Sequence, residues 1–274
     1  MKQTIENSIL KTYRKQIFSK FMKAISEYEL IQENDVIAVC ISGGKDSMLM
    51  AKCFDILSRF TAIPFEVKYL EMDPGYQDNN LEMIKENAKK LKLPIQIFNS
   101  QIFEVVENID KNPCYLCARM RRGYLYRFAK ELGCNKIALG HHYDDVIETI
   151  LMNVFYAGEV RTMMPKLHSQ NFEGMELIRP LYLVKEEDIL HWKVYNELEF
   201  LQCACRFTAD NDDHRKESTS KRKEIKELIA KYKKINPYID SNIFHSVSNV
   251  NLDKVIAYYD DEKEVSFLDS YNKK

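Results

Sequence analysis

Two cysteines separated by two residues, Cys114 and Cys117, open the segment NPCYLCARMRRGYLYRFAK (112–130). Arg119, Arg121, Arg122, Arg127 and Lys130 follow them, with no acidic residue before Glu131. Thiolates at this spacing seek a metal or a redox partner. A basic helical face seeks an anion. A second close pair, Cys203 and Cys205, stands in the tripeptide CAC. The chain has seven cysteines, an odd count in 274 residues, which argues against a disulfide framework. Cys40, Cys53 and Cys134 lie among apolar residues and read as small core fillers.

Two further stretches carry chemistry. In AVCISGGKDS (38–47), two glycines stand between a β-branched apolar run and a helical pattern. Glycines there let the backbone turn sharply and present its N–H groups, and the following helix N-terminus adds partial positive charge. Ser42 and Ser47 add hydroxyls and Lys45 a cation, so the loop reads as an anion site. The lysine spacing excludes the GxxxxGK[ST] loop of kinase-like ATPases. In GHHYDDVIET (140–149), two histidines and two aspartates follow a strand and open a helix. Asp144 fits a helix cap; His141 and Asp145 are candidates to face the same ligand as the glycine loop.

The elements that must position these residues alternate. Apolar runs at 35–41, 65–72, 94–100 and 136–140 read as strands, and helical periodicity appears at 13–28, 48–57, 77–93, 115–132 and 144–156. Strand–helix alternation means a parallel sheet wound on both faces, with the ligand beyond the carboxyl ends of its strands. The loops SGGKDS, EMDPGY and GHHYDD share that edge. After Pro180 the chain reads as more helical and charged, with a basic run at 214–234 and a polar tail from Asp260. No apolar run is long enough for a membrane span and the N-terminus lacks a secretion-signal core, so a cytoplasmic protein is expected. Net charge of −1 makes no case for a nucleic-acid partner; the local basic runs make a weak one.

The glycine loop resembles the SGGxDS loop of PP-loop ATP pyrophosphatases. From about Lys11 to Cys205 the order of segments is similar to the tRNA 2-thiocytidine synthetase (TtcA-like) family, through ISGGKDS, CYLCARMRRGYLYRFAKELGCNKIALGHHYDD, MNVFYAG, MPKL and IRPL. The resemblance implies a doubly wound, mainly parallel α/β sheet with added N- and C-terminal helices. It divides the chain into a helical segment at 1–30, the PP-loop domain at 31–206 and a basic helical extension at 207–274. It also implies ATP on Ser42, Gly43, Gly44, Lys45, Asp46, Ser47, Met72 and His141, with Asp46 holding Mg²⁺.

Asp46, Arg121 and Asp145 are then the expected catalytic residues. Arg121 stands one turn beyond Cys117, within reach of the α-phosphate. A [4Fe–4S] cluster is implied on Cys114, Cys117 and Cys203, with Cys205 the alternative third ligand, leaving one iron open for a hydrosulfide. A four-cysteine zinc site on the same residues is the alternative reading of the spacing. The implied reaction is adenylation of a cytidine C2 oxygen in tRNA and its replacement by sulfur. Arg119, Arg122 and Lys166 are expected on the tRNA, and Arg179 in the same cleft or in a structural ion pair. A sulfur donor (cysteine desulfurase or sulfide) and a homodimer complete the expectation. The chain departs from the family in having CAC where a second CxxC is frequent. It also has VIET after the paired aspartates, closer to lysidine synthetases. Rival readings are a 2-thiouridine-type or small-molecule sulfurtransferase, a lysidine-synthetase-like ligase, and a nucleotide-binding module with structural zinc.

Overall fold

The computed structural model describes residues 4–76, 78–100, 102, 113–201 and 216–271, and of Cys114 and Cys117 it describes the backbone alone. The described chain groups into two units, Met1–Val146 with Met163–Lys223, and Ile147–Thr162 with Glu224–Lys274. No described helix is long and apolar enough to cross a membrane.

The first unit is built on a six-stranded sheet. In chain order its elements are α1 (Ile5–Asn7), two wide helical turns, α2 (Ser19–Glu27), β1 (Val36–Ile41), α3 (Lys45–Phe60), β2 (Glu66–Asp73), α4 (Asp78–Leu91), β3 (Ile95–Asn99), α5 (Pro113–Glu131), β4 (Lys136–Ala138), the start of α6 (Tyr143–Met152, which passes into the second unit at Ile147), β5 (Lys166–His168), β6 (Glu176–Ile178) and α7 (Glu186–Tyr195). The strand order is β3-β2-β1-β4-β6-β5. All neighbours pair in parallel except β5, which runs antiparallel to β6 at the edge.

β1 is buried from Ile37 to Ile41, as a central parallel strand covered on both faces must be. On one face, Tyr126 and Ala129 of α5 pack with Ala38, Cys40, Leu70 and Ile137. Cys40 and Cys134 are buried free thiols in this core, and Cys53 is a buried free thiol on α3. Burial pushes the Cys40 thiol up to about 12 and the Cys134 thiol up to about 11, which keeps both protonated and inert.

The order reverses direction at β1. From it the chain winds outward through β2 and β3, then returns to β4 on the other side. A crevice therefore opens between the carboxyl ends of β1 and β4, where open α/β sheets bind ligands. At the opposite end of these strands a buried cluster closes the sheet. Lys136, 2% exposed, bonds Asp35 at 2.8 Å and Glu176 at 3.1 Å, and donates to the Leu30 carbonyl. Charge at that end is thus internally matched.

The second unit contains α8 from Glu224 onward (the whole helix is Lys216–Lys233), α9 (Ile239–Ser246), and a two-stranded hairpin, β7 (Ala257–Asp260) with β8 (Lys263–Ser266). The polar tail expected from Asp260 is instead this hairpin followed by a short helix, α10 (Leu268–Tyr271). Asp261 takes the left-handed backbone (φ 53°) that a two-residue hairpin turn needs.

Candidate active site

The loop between β1 and α3 turns at Gly43, whose φ of 75° favours glycine. A Cβ there would also stand 2.8 Å from side-chain atoms of Ile84 and Leu201. Gly44 is the N-cap of α3. Ser47 closes the turn: its hydroxyl accepts from the Ser42 N–H (3.1 Å) and donates to the Gly44 carbonyl (3.0 Å). The loop is thus held in an anion-ready shape before any anion arrives.

Gly140, just beyond β4, abuts this loop. A Cβ on it would lie 3.0 Å from the Ser47 nitrogen and 3.1 Å from backbone carbons of Asp46 and Ser47. Backbone cannot swing aside as a side chain can. Gly140→Ala is therefore expected to displace the start of α3, at a cost of about 1–3 kcal/mol, a typical overpacking penalty. Thermal melts with and without ATP check this: the midpoint should drop and the ATP-induced rise should shrink.

A cavity of about 290 Å³ opens at this edge, lined by Ser42, Asp46, Ser47, Met72, Arg121, Gly140, His141 and Asp145 among others. Residues expected from the glycine loop, the second strand, the cysteine-bearing helix and the GHHYDD segment therefore meet in one place. Arg121 donates from Nη2 to the Tyr76 hydroxyl at 3.2 Å. Cys114, Cys117 and Arg121 fall on one face of α5 by helical spacing. The cysteine side chains, and Cys203 and Cys205 entirely, lie outside the described residues. The last described residue before that second pair, Leu201, donates its N–H to the Gly43 carbonyl at 3.2 Å.

The paired aspartates divide their work. Asp144 accepts the backbone N–H of Glu186 at 2.7 Å, so it caps α7 rather than the helix it opens. Asp145 accepts the His142 N–H at 3.0 Å through Oδ2 and faces Arg222 Nη1 at 3.0 Å through Oδ1. Lys45 bridges Asp46 and Glu186, both at 3.1 Å. Burial opposes the Lys45 charge, but attraction to Asp46 and Glu186 outweighs it and holds the ammonium above the usual lysine range. Asp46 is pushed above the usual aspartate range by burial, against the pull of His142 and Lys45. Its Oδ1 is buried without a hydrogen-bond partner.

His141 is half-buried, with its Nδ1 buried and unpartnered, and burial, followed by repulsion from Arg179, lowers it to about 4. It is a neutral ring at physiological pH. Arg119 and Arg122 are exposed on α5. Lys166, at the start of β5, donates to the Glu29 carbonyl at 3.2 Å.

The profile of the family described as "PP-loop domain" matches residues 10–215. The chain is 35% identical to the tRNA-cytidine(32) 2-sulfurtransferase of Geotalea daltonii, over 86% of this chain and 92% of that one. It is 33% identical to the enzyme of the same name from Geotalea uraniireducens, over 86% and 93%. The chain belongs to the PP-loop family, in its TtcA-like branch. A solved structure of the U34-tRNA thiolase NcsA from Methanococcus maripaludis, with its [4Fe–4S] cluster, superposes with a TM-score of 0.65 at 20% identity, covering 84% of this chain and 76% of that one. That likeness speaks for the fold.

The PP-loop site suits a hard cation. Asp46 offers a buried oxygen with no hydrogen-bond partner, and Asp145 lies along the same cavity. Several neighbours were invisible in the sequence. His142, rather than His141, sits among the carboxylates, with Nε2 3.6 Å from Asp145 and 3.9 Å from Asp46. Glu186 and Arg222 arrive from segments with no motif. The alternation of charge in KEEDILHW gave no sign that its second residue would reach Lys45.

Proposed function

We propose that this chain is an ATP-dependent tRNA thiolase that adenylates the C2 oxygen of a cytidine in tRNA and exchanges that oxygen for sulfur. The observation that carries the reading is the single cavity shared by Ser42, Asp46 and Ser47 of the PP-loop and Arg121 of the cysteine-bearing helix. Adenylation needs the first group; delivery of sulfur to the adenylated carbon needs the second nearby.

ATP lies with its phosphates on the loop from Ser42 to Ser47, where backbone N–H groups and the α3 N-terminus offset their charge. Asp46, through its unpartnered oxygen and with Asp145 beside it, would hold Mg²⁺, which would offset charge on the pyrophosphate. The C2 oxygen attacks the α-phosphorus, the bond to pyrophosphate breaks, and Arg121 stabilises the charge that develops. Cys114, Cys117 and either Cys203 or Cys205 would hold a [4Fe–4S] cluster, which when bound would carry the donated sulfur. Sulfur adds at C2 and AMP leaves with the original oxygen. Arg119 and Arg122, exposed on the same helix, take phosphates of a tRNA whose target base is extruded from its stack. Cysteine desulfurase or free sulfide is the donor, the enzyme acts in the cytoplasm, and it works as a homodimer.

The test is anaerobic incubation of the iron-reconstituted protein with ATP, Mg²⁺, sulfide and bulk tRNA, followed by nucleoside analysis. The expected result is 2-thiocytidine, with AMP and pyrophosphate in equal amounts. Thiouridine alone, or a lysine-bearing cytidine formed without sulfide, would replace this reading. Protein isolated anaerobically with zinc and no iron would remove the cluster from it.

A further inference from the structure

Arg179 immediately follows β6 at the carboxyl edge of the sheet, beside the strand that delivers His141. Its residue is only 8% exposed. One guanidinium nitrogen, Nη1, donates to the Met164 carbonyl. Nε is buried and has no hydrogen-bond partner, and among the described residues no carboxylate forms an ion pair with Arg179. The alternative of a structural ion pair, open in the sequence, is therefore not what the described residues provide.

Burial lowers Arg179 to about 10; Tyr182, Tyr126 and Asp145 pull the other way, and Arg122 adds to the lowering. The guanidinium nonetheless stays charged at neutral pH. His141 is held neutral, with Arg179 contributing after burial. The nearby acid, Asp145, already spends one oxygen on the His142 N–H and the other on Arg222. A buried guanidinium satisfied by one backbone carbonyl is costly to the folded chain. Contrast Lys136, equally buried at the far end of the same strands, which has two carboxylates and a carbonyl. The fold can match a buried cation, and among the described residues it does not do so at Arg179.

We propose that Arg179 is a preformed receptor for a phosphate oxygen of the substrate, so that its counter-charge arrives with the ligand. The guanidinium fork suits a phosphate better than an ammonium would, since it offers parallel N–H donors. This deepens the thiolase reading and rests on it, because that reading places two phosphate sources at this edge, ATP and the tRNA backbone.

The full-length chain, its Arg179→Met and its Arg179→Lys variants are compared in binding Mg²⁺·ATP and in binding tRNA over a series of salt concentrations. The expected result is at least a tenfold loss of one affinity in Arg179→Met, partly restored by Lys. The melting midpoint of the ligand-free variant should be unchanged or higher, because an unmatched buried charge has gone. If ATP binding is lost and tRNA binding is kept, the phosphate is ATP's. If tRNA binding weakens and its salt slope falls by about one while ATP binding is kept, the phosphate is the RNA's. Equal affinities in wild type and Arg179→Met overturn the inference alone, as does a variant whose ligand-free melting midpoint falls and whose binding returns when it is stabilised by cooling. A wild-type chain that binds neither ATP nor tRNA overturns the thiolase reading and this inference with it.

Discussion

Asp46→Asn is expected to lower tRNA-dependent pyrophosphate release by about a hundredfold or more, the scale of losing one preorganised electrostatic contributor at a developing charge. The argument is local. Asp46 is the second residue of α3, and one of its oxygens is occupied by Lys45 while the other is buried with no hydrogen-bond partner. Such an oxygen serves a cation that joins it, and asparagine keeps the volume while removing the charge that draws Mg²⁺ in. The same substitution should not destabilise the ligand-free protein near neutral pH. Burial raises the Asp46 pKa, so the folded chain holds a proton that the unfolded chain releases, and its ionisation works against folding as pH rises. Activity and stability should therefore separate. Steady-state pyrophosphate release across a Mg²⁺ titration, beside melting curves, reads both. Retention of activity within a few-fold would remove Asp46 from the metal, and a matching loss of fold would make its role structural.

Much of this site could be read before any coordinates, for physical reasons that also mark where reading stops. A glycine turn after a buried strand has few uses, and the sterics at Gly43 and Gly140 explain why those positions carry no side chain. β1 announces itself because a strand buried on both faces must be nearly all apolar. β5 and β6 do not, because three residues cannot express a period; they appeared only as the short segments MPKL and IRPL. The β7–β8 hairpin was hidden by its charge, since strands whose outer faces are solvated look polar. Within the site, spacing placed Arg121 on the face of α5 shared by positions 114 and 117. It did not tell His141 from His142, nor reveal that Asp144 would cap a helix beginning 42 residues later. Contacts between residues far apart in sequence, such as Lys45 with Glu186, leave no local pattern to find.

Glu71 is the other residue that no pattern flagged, and it yields the largest expected effect on stability. An acid in a strand that also carries Glu66, Lys68 and Asp73 looks like one more surface position. Here it is fully buried, flanked in register by Ile41 of β1 and Ile97 of β3, with the Tyr76 hydroxyl as its one polar neighbour among the described residues able to hydrogen-bond it. The ionisable groups acting on it are Arg121 from α5, Asp73 on its own strand, Tyr76 from the following loop, and Cys40 on β1. Burial dominates and raises Glu71 to about 8, with Arg121 opposing. Between the ordinary carboxylate range and that value, the folded chain keeps a proton that the unfolded chain gives up. Stability therefore falls as pH rises through this window, by up to about 3 kcal/mol at neutral pH at roughly 1.4 kcal/mol per unit. Glu71→Gln removes the ionisation while keeping the shape. Its melting midpoint should pull ahead of wild type as pH climbs from 5 to 8, by on the order of 5 °C at the upper end. Parallel melting curves across that range would show that Glu71 ionises in the folded protein as freely as in the unfolded chain. The same buried proton bears on catalysis, because Tyr76 accepts from Arg121 beside it. In the proposed reaction, a charged Glu71 would draw that guanidinium away from the phosphates, and a neutral one would leave it to them.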